Sequence, residues 1–457
     1  MPRLGHVQSR SLLSVLVVGA LLILGGASRA DAQTYSDAKA RLIQAVTVKN
    51  FRAATIAADD LVALGSTQAI ETLISIGLKG DYYGLEQYIY GKLQGIPPGA
   101  VFDRICELAS EDKNANTRVF LTLLLGNIRD SNAFKAVLQN LYDPDDGVVL
   151  AALEKLGQKD HVGSIGHLIE ALEYQEKKNR SDGLIAYEIR KLLLQLTRED
   201  IVRSVDWKNW WKPRVKGFVR PPEREDRGKK VTSVYKEPSV FVGIEVPADR
   251  VVFIIDVSGS MLIKDPAPEA TGDGGGSAAG GSSGGTSVGG KKKDPPKKPK
   301  VPQEEIPESR QRLRRVQKEL IETIERLPEN AQFNVIWFNQ EVGAFSEDLV
   351  PANARNKTKA INFVRAFKAE GETYTDHALL RAFETNKLRA IFLLSDGAPK
   401  RDDERLPVEP ILEWVREANR FARVRVHTIG FEQAGSKMRK FMSRLAGQNH
   451  GEYVELK

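Results

Sequence analysis

Two rhythms of apolar residues divide this chain. From residue 36 to about 200, Leu, Ile, Val and Ala recur at helical spacing, and no stretch alternates as a strand would. The glycines that close apolar stretches, Gly65, Gly95, Gly126 and Gly157, stand thirty to thirty-one residues apart. Val119 to Gly126 and Val149 to Gly157 each carry a Leu-rich run, and each is followed by a second helix, Phe134 to Leu141 and Ile165 to Leu172. Leu184 to Leu196 supplies a last long helix. A helix pair of this size cannot bury its apolar face alone, so the period predicts neighbours stacked into a curved solenoid, with a generic helical bundle as the alternative. Trp207, Trp210 and Trp211 fall at i, i+3 and i+4 on one helical face, which is expected to cap the solenoid's end. An aromatic ligand-stacking platform is the other use for such a face.

After residue 238 the rhythm changes. Val240-Phe241-Val242-Gly243-Ile244 reads as a strand, and the mostly β-branched run Val251 to Ile255 reads as a central parallel strand covered by helices on both faces. Helices predicted at Arg314–Leu327, Ala360–Phe367, Ala378–Phe383, Ile411–Phe421 and Met438–Leu445 alternate with strands at Phe333–Phe338, Ile391–Leu394, Val424–Gly430 and Tyr453–Leu456. Such alternation predicts an α/β, doubly wound sheet.

Candidate chemistry sits where two of these strands end. The central strand stops at Asp256-Val257-Ser258-Gly259-Ser260, at the sheet edge where loops and helix N-termini converge in open α/β folds. One carboxylate and two hydroxyls suit a hard cation, and neither Cys nor His lies in the motif to favour a softer one. Ser or Asp after a strand is also a common helix N-cap, so Asp-x-Ser-x-Ser alone is weak. This motif resembles the opening of the metal-ion-dependent adhesion site (MIDAS) of the von Willebrand factor A (VWA) domain. Gly371-Glu372-Thr373-Tyr374-Thr375-Asp376-His377 resembles that family's second loop, and Ile391-Phe392-Leu393-Leu394-Ser395-Asp396-Gly397 its third strand and loop. The resemblance implies a Rossmann-like fold and a metal site of Asp256, Ser258, Ser260, Thr373 and Asp396. It also implies Mg2+ as the ion, with Mn2+ or Ca2+ as alternatives, and a protein partner whose acidic side chain takes the open coordination position. In the helical half, the thirty-residue period is similar to HEAT-like repeats.

Other chemistries find less support. A haloacid-dehalogenase-like phosphatase needs a second Asp two residues after the first, where this chain has Ser258. No nucleophile elbow or His-Glu-x-x-His occurs. A metal-dependent hydrolase would need a general base near the metal, for which Asp376, Glu372 and His377 are the candidates in the second loop. His427 lies within a strand and is expected to pack.

Composition adds three boundaries. Between Met261 and Ser309, residues 265–308 are rich in Gly, Ser, Pro and Lys, a composition that cannot bury enough apolar surface to offset ordering entropy, so a disordered insertion is expected. Residues 201 to 230 carry ten Lys or Arg against four acids, so the net charge of +7 is concentrated near a Pro-containing linker. That distribution suits an anionic envelope or membrane surface better than a nucleic-acid groove, and no nucleic acid is expected. Arg3 and Arg10 precede an apolar stretch from Leu12 to Leu24, followed by Ala30-Asp31-Ala32. This is the layout of a secretory signal peptide cleaved before Gln33, or of a membrane anchor if cleavage fails. Cys106 is the sole cysteine, so no intrachain disulfide can form, and a buried helical position is expected for it.

The expected organisation is therefore multidomain: a signal peptide at 1–32, an all-α HEAT-like solenoid at 33–212, a basic linker at 213–238 and a VWA domain at 239–457. The expected role is a secreted or periplasmic interaction module, not an enzyme, with a structural envelope protein carrying a vestigial metal site as a further alternative.

Overall fold

The computed structural model describes residues 29–79, 82–222, 232, 239–247, 249–266, 305–401, 404–433 and 435–456. The apolar stretch 12–24 and most of the basic linker therefore lie outside the described residues, as do residues 267–304 of the Gly/Ser/Lys-rich insertion. No helix among the described residues is long and apolar enough to cross a membrane. The described residues form two compact units that divide between Leu168 and Ile169.

The first unit is helical: α1 Arg29–Thr47, α2 Phe51–Ala63, α3 Thr67–Gly77, α4 Tyr83–Gln94, α5 Ala100–Glu111, α6 Ala115–Leu125, α7 Ser131–Gln139 and α8 Asp146–Gln158. Asn50, Ser66, Asn114, Asp130 and Asp145 start α2, α3, α6, α7 and α8 by accepting backbone N–H groups. Asn114 and Asp145 stand as far apart as Gly126 and Gly157, so the two most similar segments of the helical stretch share a cap as well as a glycine. Most helices pack against the next and the next but one, as α5 does with α6 and α7, and α6 with α7 and α8. Buried polar ties join them. Arg118 on α6 donates through Nε and Nη2 to Asp143 at 2.7 and 2.8 Å, and Asn140 Nδ2 donates to the Ala109 carbonyl at 2.9 Å. Cys106 is buried in α5, as its apolar neighbours indicate.

Helix α9, Ile165–Lys177, spans the division, and α10 Leu184–Thr197 and α11 Ser204–Trp211 belong to the second unit. The tryptophan face divides. Trp207 is buried with Nε1 donating to the Ile201 carbonyl at 2.7 Å, while Trp210 and Trp211 remain half-buried against Phe218. Within this unit Arg425 and Glu188 form a 3.0 Å ion pair, and the Leu184 N–H donates to Asp249, so α10 is tied to the ends of the sheet.

The sheet follows. Residues 240–244, expected as one strand, are a hairpin of β1 Val240–Phe241 and β2 Ile244–Glu245. Val242 and Gly243 take left-handed φ of 48° and 83° and turn the chain back. Then come β3 Arg250–Asp256, α12 Arg312–Arg326, β4 Gln332–Phe338, β5 Val342–Ala344, β6 Val350–Pro351, α13 Ala354–Arg365, α14 Thr375–Phe383, β7 Ala390–Leu394, the short ribbon β8 Lys400–Arg401 and β9 Glu404–Arg405, α15 Val408–Ala422, β10 Arg425–Phe431, α16 Ser436–Gln448 and β11 Tyr453–Leu456. The order is β11-β10-β7-β3-β4-β5, parallel from β11 through β4, with β5 and β6 antiparallel on β4. β3 is central, and Val251 to Ile255 are fully buried, which explains their unbroken apolar run.

The two ends of the expected insertion belong to the fold. The Ile263 and Arg310 carbonyls accept from Arg312 and Asp265 N–H at 2.9 and 3.1 Å, around a β-bridge of Lys264 with Gln311. Asp265, expected within the disordered insertion, is instead buried between Arg312 and Arg315.

Candidate functional site

Parallel pairing puts the C-terminal ends of β3, β4, β7 and β10 on one edge. Register places Ile255 opposite Leu394, so Asp256 and Ser395 come next to each other just beyond. Ser395 Oγ donates to Asp256 Oδ2 at 2.5 Å, and the Ser258 N–H donates to Oδ1 at 2.8 Å. From the same loop, Ser258 Oγ lies 3.1 Å from Ser260 Oγ, which donates to Asp396 Oδ1 at 2.6 Å. Four of the five residues expected from the sequence are thus joined in one hydrogen-bonded cluster.

Thr373 arrives from the second loop. Its carbonyl accepts from Lys400 at 3.0 Å, and the next residue, Tyr374, donates to the Asn339 carbonyl at 3.0 Å. Gly259 N–H donates to the Gly371 carbonyl, and Glu370 N–H to the Val257 carbonyl, at 3.0 and 2.8 Å, which fastens the second loop to the first. Gly371 has φ +75°, and a side chain there would strike Gln340. Thr373 Oγ1 and Ser260 Oγ lie 3.3 and 3.8 Å from the position a Cβ on Gly397 would occupy, so the bare backbone of Gly397 lets both hydroxyls share the third loop.

Three residues of the cluster escape a search for the motif. Ser395 is legible only once register is known. Arg312, at the start of α12, donates through Nη1 to Asp396 Oδ2 at 2.7 Å and through Nε and Nη2 to Asp265 at 2.9 to 3.2 Å. Arg315 Nη1 adds a 2.9 Å bond to Asp265. Arg312, Arg314 and Arg315 crowd the first turn of this helix, where positive charge opposes the dipole, and Arg312 falls four residues before Val316 on the buried face; that is the one signal the sequence holds.

Burial, and then the Asp396 charge, push the Asp256 carboxyl well above the usual carboxylate range. For Arg312, burial works against the charge, but hydrogen bonds to Asp265 and Asp396 hold it above its ordinary value. The donor set is all oxygen, anionic and sheltered, which fits a hard divalent cation in kind. Among the described residues no three His, Cys, Asp or Glu side chains gather, so the hydroxyls would have to share the coordination. The three general-base candidates of a hydrolytic site are otherwise placed. Asp376 pairs with Arg401 at 2.7 Å, His377 Nε2 lies 2.9 Å from the same guanidinium, and the Glu372 N–H donates to Gln340. His427 packs flat on Phe392 within the sheet.

Residues 308–454 match the von Willebrand factor type A domain family. The match begins after the insertion, whereas the structure shows that β3 and its Asp256, which precede it, form the sheet's centre. Two human proteins are similar over part of the chain. Von Willebrand factor A domain-containing protein 3B is 30% identical over 28% of this chain, and protein 3A is 28% identical over 26%. The matches span only 9% and 10% of those proteins' lengths. Among solved structures, a von Willebrand factor type A protein from Catenulispora acidiphila aligns over 47% of this chain and 40% of its own, at 17% identity and a TM-score of 0.32. The family match and the two human relatives identify a von Willebrand factor type A domain in the C-terminal part of this chain.

Proposed function

We propose that this chain is an exported interaction module whose VWA domain grips an acidic side chain of a partner protein through a divalent cation. Asp256, Ser258, Ser260, Thr373 and Asp396 would hold the ion, with Mg2+ first and Mn2+ or Ca2+ as alternatives. When bound, the ion supplies an electrophilic centre for a partner carboxylate. The observation that carries this reading is the 2.5 to 3.1 Å cluster of carboxylate and hydroxyl oxygens from the first and third loops, with Thr373 brought beside it over Gly397. Ser395 orients Asp256, and Arg312 orients Asp396 while offsetting part of the site's negative charge.

The helical unit serves as a second binding surface, read here as a HEAT-like solenoid. Its support is the packing of most helices on the next and next but one, together with the Asn114 and Asp145 caps, spaced as Gly126 and Gly157 are. Export rests on the charge and hydropathy of the first thirty-two residues.

Calorimetric titration of Mg2+ and Mn2+ into the chelator-stripped full chain tests the central claim. Saturable binding that Asp256→Ala abolishes is expected. Equal binding by the variant would overturn the assignment.

A further inference from the structure

The helical unit contains a cavity of about 390 Å³ that the VWA reading leaves unused. Its floor is apolar, with Leu125, Ile128, Phe134 and Leu156. Its rim carries three cations, Arg129, Lys155 and Lys159, against one acid, Asp130. His161 stacks on Phe134, ring centroids 4.0 Å apart and planes 15° from parallel, which makes one flat wall. The volume lies within the range of about 300 to 1,000 Å³ in which proteins hold small molecules.

The charges are under-compensated. Lys155 Nζ reaches only neutral oxygens, Asn127 Oδ1 at 3.3 Å and Gln158 Oε1 at 3.0 Å. Lys159 Nζ reaches the Asn127 carbonyl at 3.5 Å. Among the described residues no carboxylate pairs with Arg129, Lys155 or Lys159. Asp130, the sole acid of the lining, directs Oδ1 to the N–H groups of Asn132 and Ala133 as the cap of α7. Burial, and then the Lys159 charge, lower the pKa of Lys155, the mark of an ammonium that lacks a counter-charge. Gly126 has a local reason as well as a place in the repeat. A Cβ there would collide with the aliphatic stem of Lys155, so the bare backbone is what admits the lysine.

We propose that this cavity binds a small organic anion, a carboxylate on a compact aromatic or aliphatic body. The carboxylate answers the lysine pair and Arg129, and the body covers Phe134 and Leu156. Fit in shape alone would leave two neighbouring ammonium groups repelling each other, and fit in charge alone would leave the apolar floor wet. A ligand with both parts removes both costs.

The probe pair is naphthoate and naphthalenemethanol, the same ring system with and without the charge, titrated calorimetrically into the full-length chain. One-site binding of naphthoate is expected, at least tenfold tighter than the neutral alcohol and weakened by added salt. Lys155→Gln is expected to lose tenfold or more. Exposed Lys159→Gln, which leaves the core untouched, is expected to lose several-fold and keeps the test open if the first variant unfolds. Lys113→Gln, on the exposed turn before α6, is the control and should bind as the parent does. No saturable naphthoate binding up to millimolar concentration, equal binding of the alcohol, or unchanged affinity in both cavity variants would overturn the proposal.

Discussion

Arg312 donates to Asp396 at 2.7 Å and, with its other nitrogens, grips Asp265, so one buried guanidinium holds a site carboxylate and the root of the insertion together. Arg312→Gln removes that charge. Leaving Asp396 without its cation in a buried setting is expected to lower stability by about 3 to 5 kcal/mol. The same change takes a positive charge from beside the candidate ion, so Mn2+ should bind more tightly, by about tenfold. Urea unfolding and calorimetry read the two effects separately. An unchanged midpoint with unchanged affinity would show that the bridge is incidental.

Asp256 tells the opposite story. It is fully buried and its carboxyl is held above its ordinary pKa, so a neutral side chain of the same shape relieves a cost. In chelator, Asp256→Asn is expected to melt no lower than the parent. Adding Mg2+ should raise the parent's melting temperature and leave the variant's alone. A rise in both would place the ion elsewhere.

Gly371→Ala examines the link between loops. With φ at +75° and Gln340 in the path of any side chain, the substitution should cost about 1 to 2 kcal/mol and loosen the Gly259–Gly371 bond. Cation affinity should fall although no ligand is altered. Full affinity in a correctly folded variant would make the second loop's anchoring irrelevant to the site.

His427 supplies a pH dependence. Burial, then the charges of Arg425 and Lys191, push its imidazole down to about 3 from 6.5, while its Nδ1 accepts the Glu452 N–H. A folded pKa below the unfolded one means that the unfolded chain takes up the proton first. This contribution to stability is therefore complete above pH 6.5 and declines as pH falls toward 3. Thermal melts from pH 7 downward should show the loss, and His427→Phe should flatten it. An identical slope in the variant would assign the loss to other groups.

In the helical unit, Arg118→Met strands the Asp143 carboxylate that it grips with two bonds. A loss of about 3 to 5 kcal/mol is expected in chemical denaturation, with no effect on Mg2+ binding. Coupled loss of both would show that the two units do not fold independently.

What the sequence revealed follows from physical range. Val251 to Ile255 declared a buried central strand because burial on both faces removes alternation, and the first and third loops were legible because each closes such an apolar run, whereas the second was legible only through its family resemblance. Short β5, β6, β8 and β9 carry two or three residues each, too few for a period to register. The Val242-Gly243 reversal was hidden because Val rarely takes positive φ. Arg312, Arg315 and Ser395 stayed invisible for a different reason. Their roles depend on residues 47 to 139 positions away along the chain, brought together by the register of the sheet for Ser395 and by the ladder between 263–265 and 310–312 for the arginines.

The backbone ladder between residues 263–265 and 310–312 closes the VWA domain upon itself before the insertion is counted. Whatever occupies the span from 267 to 304 hangs from two adjacent posts, and each doubling of its length adds only about 0.6 kcal/mol in closure entropy. The domain thus offers a ready splice point next to Asp265, which shares the Arg312 guanidinium with Asp396, where a fluorescent reporter could replace the native segment and read the arrival of an ion or a partner.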